Sequence, residues 1–244
     1  MEGQAKSFGP RSSDFSNVVR QRAEAVQRFL LFLEIPPEDC ERIVAVASER
    51  HYPRGKKIFF EGDPVRQVMF LTTGSVKLVQ SSPNGDEVML RLVAPGEILP
   101  FEHFPGCIHC STATVVQAST ALIWEVSLFQ ALKHRFPILG RNLSHFLFRT
   151  LNQLEVRFRE VSTDKVSRRL SCQLVRLLKK VGKPSNGHID IELSRQDLAQ
   201  MIGTTIFTVS RLLSLWAEQG IIEPRREVIS VLNLSALEKL SQTQ

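Results

Sequence analysis

Residues 193–222 read LSRQDLAQMIGTTIFTVSRLLSLWAEQGII, and this stretch decides the fold. Ser194 stands where a helix N-cap belongs, and Asp197, three residues on, is close to the reciprocal partner of a capping box. Leu198, Met201 and Ile202 follow at helical spacing and give the first helix its apolar stripe. Gly203 then sits where a helix-turn-helix needs a sharp turn. The spacing predicts a second helix over 205–218, ended by Gly220. On that helix Val209, Leu212, Leu213 and Trp216 share one face, while Phe207, Ser210, Arg211 and Ser214 point the other way. A helix buried all round would not carry the second face, and a merely solvated one would rarely place Phe there. The pair therefore reads as a DNA-binding helix-turn-helix. The plainer alternative is a helical hairpin inside an enzyme, but no nucleophile–base arrangement, phosphate loop or pair of catalytic carboxylates stands out to support one.

The residues just beyond the motif favour DNA. Residues 223–234, EPRREVISVLNL, read as a turn and an alternating strand, the pattern of the wing in a winged helix. Arg225 and Arg226 fall at its tip, where a phosphate backbone would pass. The chain of 244 residues carries a net charge of +6. From Asp164 to the end there are 12 Lys/Arg against 8 Asp/Glu, so most of the excess lies in the last third, as expected of a nucleic-acid module.

Upstream, 164–181 is an amphipathic helix, and KPSNGH (183–188) reads as a turn before a short strand over 189–193. A long helical period runs from Phe136 to about Val161, with Pro137 in its first turn. Leu139, Leu143, Leu147, Leu151, Leu154, Phe158 and Val161 step by three or four, close to a coiled-coil seam. The choice there is between a dimer helix and a helix packed on its own domain, and its position between two modules favours the dimer. Between Arg50 and Val126 the texture is short β-type runs broken by Gly and Pro, with Asn84-Gly85 as a hairpin signal. Such runs suggest a compact barrel or jelly roll. Before them, 18–33 and 37–48 read as helices, and the polar opening MEGQAKSFGPRSSDFSN as a loose tail. No apolar run reaches membrane-spanning length and no signal peptide is evident. Four irregularly spaced cysteines argue for a reducing cytoplasm rather than a disulfide scaffold.

In this order β domain, long helix and winged helix resemble the CRP/FNR family of bacterial transcription regulators. The resemblance covers about residues 30–238 and is carried by RGKKIFFEGD, LTTGSVKL, the Pro95-Gly96-Glu97 turn and the helix-turn-helix. Within the family, RQDLAQMIGTTIFTVSRLLSLW looks most like the nitrogen-oxide-responsive NnrR-type subgroup. The resemblance implies an α+β fold: an N-terminal tail and helix (1–30), a cyclic-nucleotide-binding-like β-roll sensor (31–135), a dimerisation helix (136–163) and a winged helix-turn-helix (164–238). It implies a homodimer on a palindromic operator in double-stranded DNA, RNA polymerase as a partner, and a signal at the roll that biases two arrangements of the long helices. The alternative in another class is a ligand-binding module whose degenerate winged helix serves protein contacts.

Arg211 is the main base-reading candidate, since Arg can bond both O6 and N7 of guanine; a phosphate contact is its alternative. Thr208 and Ser210 flank it. Ser194, Arg195, Gln196, Thr204 and Thr205 sit at helix starts, where donors meet phosphate. Family members often carry an Arg-Glu pair at the positions of Ile206 and Phe207. Ile206 at the edge of the buried face reads nothing, and Phe207 cannot accept a hydrogen bond from cytosine but can touch a thymine methyl. The operator should differ accordingly.

The resemblance also suggests cyclic AMP, which the residues argue against. The ribose-gripping and phosphate-gripping pairs fall near Pro100-Phe101 and Ser111-Thr112, so the expected carboxylate and arginine are both missing. In their place FEHFPGCIHC offers His103, Cys107, His109 and Cys110, all metal and haem ligand types. These are incidental loop residues, a haem or diatomic-gas site, or a thiol switch or other metal site. Haem is preferred to zinc only through the subgroup resemblance. Cys40 stands alone where family members cluster cysteines for an iron–sulfur centre, and Cys172 is expected in the winged-helix core.

Overall fold

The structure is a computed structural model that describes residues 12–99 and 106–242. Helix α1 (Ser12–Gln27), a 3-10 turn (Leu30–Phe32) and α2 (Pro37–Ala45) lead into β1 (Ser48–Tyr52), β2 (Lys57–Phe59), β3 (Gln67–Ser81), β4 (Glu87–Val93), β5 (Ile98–Leu99) and β6 (Thr112–Glu125). Helices α3 (Val126–Arg135), α4 (Pro137–Thr163) and α5 (Val166–Val181) come next. The chain closes with β7 (Lys183–Ser185), β8 (His188–Ile191), α6 (Arg195–Ile202), α7 (Ile206–Glu218), β9 (Ile222–Pro224), β10 (Ile229–Val231) and α8 (Leu234–Gln242).

The roll is built on the long antiparallel pair β3–β6, with β1 and β2 also on β6 and β4 and β5 also on β3. Strand alternation divides its side chains between two cores. Met69, Leu71, Val76, Leu78, Val115 and Ile123 fill one. Val68, Phe70, Leu122 and Trp124 face another, shared with α1 to α4. Trp124 is fully enclosed there, and its indole N–H donates to the Ile43 carbonyl at 3.0 Å, so its polar end is satisfied. Gly74 lies where β3 crosses β6 with shifted register. Its φ is +80°, and a Cβ would stand 2.4 Å from the Ala118 carbonyl oxygen, so no other residue fits. The predicted hairpin at Asn84-Gly85 joins β3 to β4, with Gly85 N donating to Ser82 O at 2.9 Å.

Several boundaries differ from expectation. Part of the presumed loose tail is helical, because α1 starts at Ser12, and the helical period breaks at Gln27 with only a 3-10 turn beyond. Ser48 belongs to β1 rather than to α2. Residues 183–188 form a hairpin, with Asn186 (φ 41°) and Gly187 (φ 84°) at its turn between β7 and β8. The strand after it ends at Ile191, because Leu193 turns inward to the core beside the Ser194 cap. The wing strand ends at Val231, and Leu234 opens a further helix instead.

The stripe on α4 is two surfaces. Leu139 and Leu143 are buried in the core under the roll and Leu147 packs at its edge, so the first half belongs to its own domain. Leu151, Leu154, Phe158 and Val161 are 53%, 41%, 77% and 48% exposed. The winged helix has its own four-stranded sheet, ordered β7-β8-β10-β9, under α5, α6, α7 and α8. Val79, Met89 and Leu92 from the roll reach into that same core.

Candidate nucleic-acid interface

The predicted capping box is complete. Asp197 N donates to Ser194 Oγ at 3.0 Å, and Ser194 N donates to Asp197 Oδ2 at 3.2 Å. Gly203 takes the left-handed conformation, φ 64°, that closes α6, and Thr205 caps α7 by accepting from Thr208 N at 3.2 Å. The two helices turn 111° at this break, within the range of helix-turn-helix pairs. Val209, Leu213 and Trp216 are buried beneath α7, whereas Phe207 is 82% exposed and Arg211 is open to solvent.

The remaining candidates divide by how far their groups are already engaged. The Ser194 hydroxyl both donates to and accepts from Asp197, the Ser194 N–H donates to the same carboxylate, and the Ser194 carbonyl accepts from Leu198 N at 3.1 Å. Thr205 and Thr208 bond each other at 3.0 Å. Arg195 reaches back to Ser210 Oγ at 3.5 Å, which links the starts of the two helices on one surface. Gln196 is exposed and Thr204 half-buried beside them. Ile206 is 37% exposed, at the margin of the buried face. At the wing tip, Arg225 N donates to the Val228 carbonyl at 2.8 Å and its guanidinium pairs with Glu223 at 3.2 Å. Arg226 is exposed, with no ion pair among the described residues. The surface thus has two ends, one apolar and cationic on α7 and one cationic on the wing.

Comparison with known proteins agrees with this geometry. A Crp-like helix-turn-helix domain matches residues 168–240, and a cyclic nucleotide-binding domain matches residues 49–135. The global nitrogen regulator of Synechocystis is 31% identical over 194 residues, 76% of this chain and 85% of its own. The chain belongs to the CRP/FNR family of transcription regulators. The cyclic AMP receptor protein of Thermus thermophilus is 27% identical over 215 residues, 86% of this chain and 96% of its own. A solved CRP/FNR-family regulator from the same organism has the same fold, with a TM-score of 0.70 at 21% identity over 80% of this chain and 99% of that one.

At the register where the family resemblance places a phosphate-gripping pair, the chain has Ser111 and Thr112 and no arginine. Ser111 is buried, and Thr112 Oγ1 accepts from Glu61 N at 3.1 Å. Pro100, Phe101 and His103 lie outside the described residues. Among the described residues, no three His, Cys, Asp or Glu gather as a metal site. Cys107 packs against the helical core, while the His109 ring stacks flat on Phe59 with centroids 3.6 Å apart. His109 is 5% exposed, and its main chain is tied to Gly62 and Asp63 at 2.8 Å each. The ring is thus held in the wall of the roll, where it lines a shallow pocket together with Phe59, Asp63 and Arg66. Cys110 is exposed. Cys172 is half-buried rather than central, its thiol directed at the Ser241 carbonyl.

Helix α8 lies outside the sequence-based expectation, although its signal is present. Asn233 accepts from Ala236 N at 3.0 Å as a cap, and Leu234, Leu237 and Leu240 succeed it at helical spacing. Likewise Val126, Phe129 and Leu132, with Lys133, His134 and Arg135 in the last turn, mark α3.

Proposed function

We propose that this regulator binds a palindromic site in double-stranded DNA as a homodimer, with α7 in the major groove. The carrying observation is the contrast on α7: Phe207 is 82% exposed while Val209 and Leu213, on the opposite face, are fully buried. In this reading Arg211 and Phe207 contact bases, with Thr208 and Ser210 beside them. Ser194, Arg195, Gln196, Thr204, Thr205, Arg225 and Arg226 position phosphates. The exposed stripe Leu151, Leu154, Phe158 and Val161 keeps the 3-4-3 spacing of a coiled-coil seam, which supports pairing of two α4 helices. Half-sites about 34 Å apart then face the two recognition helices.

The working segments are a lead-in (1–30), a sensor roll (31–135), a pairing helix (136–163) and a DNA reader (164–238). The roll responds to a redox or nitrogen-oxide signal rather than to cyclic AMP, in line with the NnrR-type look of the helix-turn-helix. The protein works in the cytoplasm beside RNA polymerase. Fluorescence anisotropy with promoter DNA at increasing salt tests the reading. Log affinity should fall linearly with log salt, by about 0.9 per phosphate neutralised. A flat response would instead favour a ligand-binding module with a winged helix used for protein contacts.

A further inference from the structure

The outer face of the roll, the second half of α4 and helix α5 meet around a cavity of about 400 Å³. Six cationic side chains line it: Arg91, Arg149, Arg157, Arg176, Lys179 and Lys180. Glu97 is the one carboxylate among its lining residues, and it is shared between Lys180 at 2.9 Å and Arg91 at 4.0 Å. Glu160 holds Arg176 from the rim. Arg157 is turned to main-chain oxygens, Met201 at 2.8 Å together with Leu90 and Met89. Arg149 and Lys179 have no carboxylate within ion-pair distance among the described residues. The cavity therefore has a clear positive excess.

Crowding of these cations has a cost. Burial holds Lys180 below the ordinary lysine range, with Arg91 and Arg157 pushing the same way and Glu97 opposing them. Burial also lowers Arg157, with Arg176 adding to it. Like charges held together out of water are stabilised by an anion that enters among them. The rest of the wall is not phosphate-like in its demands. Leu92, Leu177 and Met201 offer apolar surface, and Gln153 and Gln173 offer amides. The space is of the size that encloses a small organic ligand. It is also separate from the interior of the roll, which Met69, Leu71, Val76 and Leu78 fill.

We propose that this cavity binds a small organic polyphosphate of the size of a nucleoside diphosphate. A single negative charge, as in a cyclic monophosphate, would leave most of the cations unanswered, whereas a diphosphate matches them. Because the walls come from the roll, α4 and α5, the bound ligand would tie the sensor and the DNA-binding parts together.

The test is calorimetric titration of the full chain at low salt with ADP and inorganic pyrophosphate, and with sulfate as control. Saturable binding of ADP or pyrophosphate, tighter than sulfate, is expected. ADP binding better than pyrophosphate identifies a nucleoside ligand, and equal binding identifies recognition of the polyphosphate head alone. The double variant Arg149→Ala/Lys179→Ala should bind at least about tenfold more weakly, with its ligand-free thermal midpoint not lowered, since two like charges are removed. Gln153→Glu, which adds a carboxylate to the wall, should weaken binding in the same direction. Failure of both probes to saturate by about 1 mM, affinity equal to that of sulfate, or binding untouched by the variants would overturn the proposal.

Discussion

Phe207 is a large apolar side chain left 82% exposed on a polar face, with Arg211 one helical turn further on. Exposure of this kind contributes nothing to folding, so Phe207→Ala should leave stability within about 0.5 kcal/mol. It should weaken DNA binding most for sites with thymine at the contacted position. Competition binding across operators substituted base by base reads this directly, and a uniform loss would mean that Phe207 does not read bases. Arg211→Ala should cost about 1–3 kcal/mol and relax the preference for guanine. The cysteines differ as sharply. Cys40 is fully buried with its thiol toward the Ala23 carbonyl, and burial first, then Glu41, pushes its pKa up to about 12. The folded protein keeps that proton where an ordinary thiol, at 9.0, would lose it. Cys40 therefore favours the native state below that value and gives up its contribution as the pH rises from there toward 12. At pH 8, iodoacetamide should label the exposed Cys110 rapidly and spare Cys40 until the protein is unfolded, as peptide mass spectrometry would show.

At the scale of single elements, α4 shows what periodicity can and cannot decide. Seven apolar positions at heptad-like spacing are legible in the sequence, but a repeat says only that a stripe is covered, not by what. Leu139 and Leu143 are covered by their own chain, whereas Leu151 and Phe158 are 53% and 77% exposed. Replacing both of the latter, Leu151→Glu/Phe158→Glu, should therefore leave the monomer folded and abolish the dimer. Light scattering should report half the mass with an unchanged circular dichroism spectrum. An unchanged mass would remove α4 as the pairing element. The helix-turn-helix is fully legible because cap, turn glycine and two-faced helix are all local signals. The β7–β8 hairpin is half legible: Asn186-Gly187 marks the turn, but three-residue strands with Pro184 in one of them carry no pattern of their own. The roll is visible as strand texture only, because its pairing order joins residues far apart, such as Ser48 with Ile123. Of the Cys and His at 103–110, the described pair Cys107 and His109 shows the same limit. Proximity in sequence does not make proximity in space, and Cys107 and His109 pack on different cores.

At the scale of the whole molecule, the winged helix is docked against the roll of its own chain. Polar bridges cross the junction: Lys77 Nζ to Asp197 Oδ1 at 2.6 Å, Gln200 Nε2 to Glu87 at 2.9 Å, and Arg54 to Glu227 beside the wing tip at 2.7 Å. The Arg54–Glu227 side chains are 62% and 51% exposed, so that pair is worth at most about 1 kcal/mol. The apolar seam outweighs it. Met89 is fully buried and Leu92 2% exposed, within a core that also holds Leu198, Met201 and Trp216. Truncating one such side chain costs about 2–5 kcal/mol. Each part carries its own reporter, Trp124 in the roll and Trp216 beneath α7, and single Trp→Phe replacements isolate them. Urea unfolding followed by the two tryptophans should coincide in the native protein. Lys77→Ala leaves the buried Asp197 carboxylate without its cation and should cost about 1–3 kcal/mol, yet keep the transitions coincident, since Asp197 retains its cap role and the apolar seam is untouched. Met89→Ala should separate them, the Trp216 transition moving to lower urea ahead of the Trp124 transition. Coincident transitions in Met89→Ala, or separation in Lys77→Ala alone, would show that the polar bridges rather than the apolar seam hold the DNA reader to the sensor.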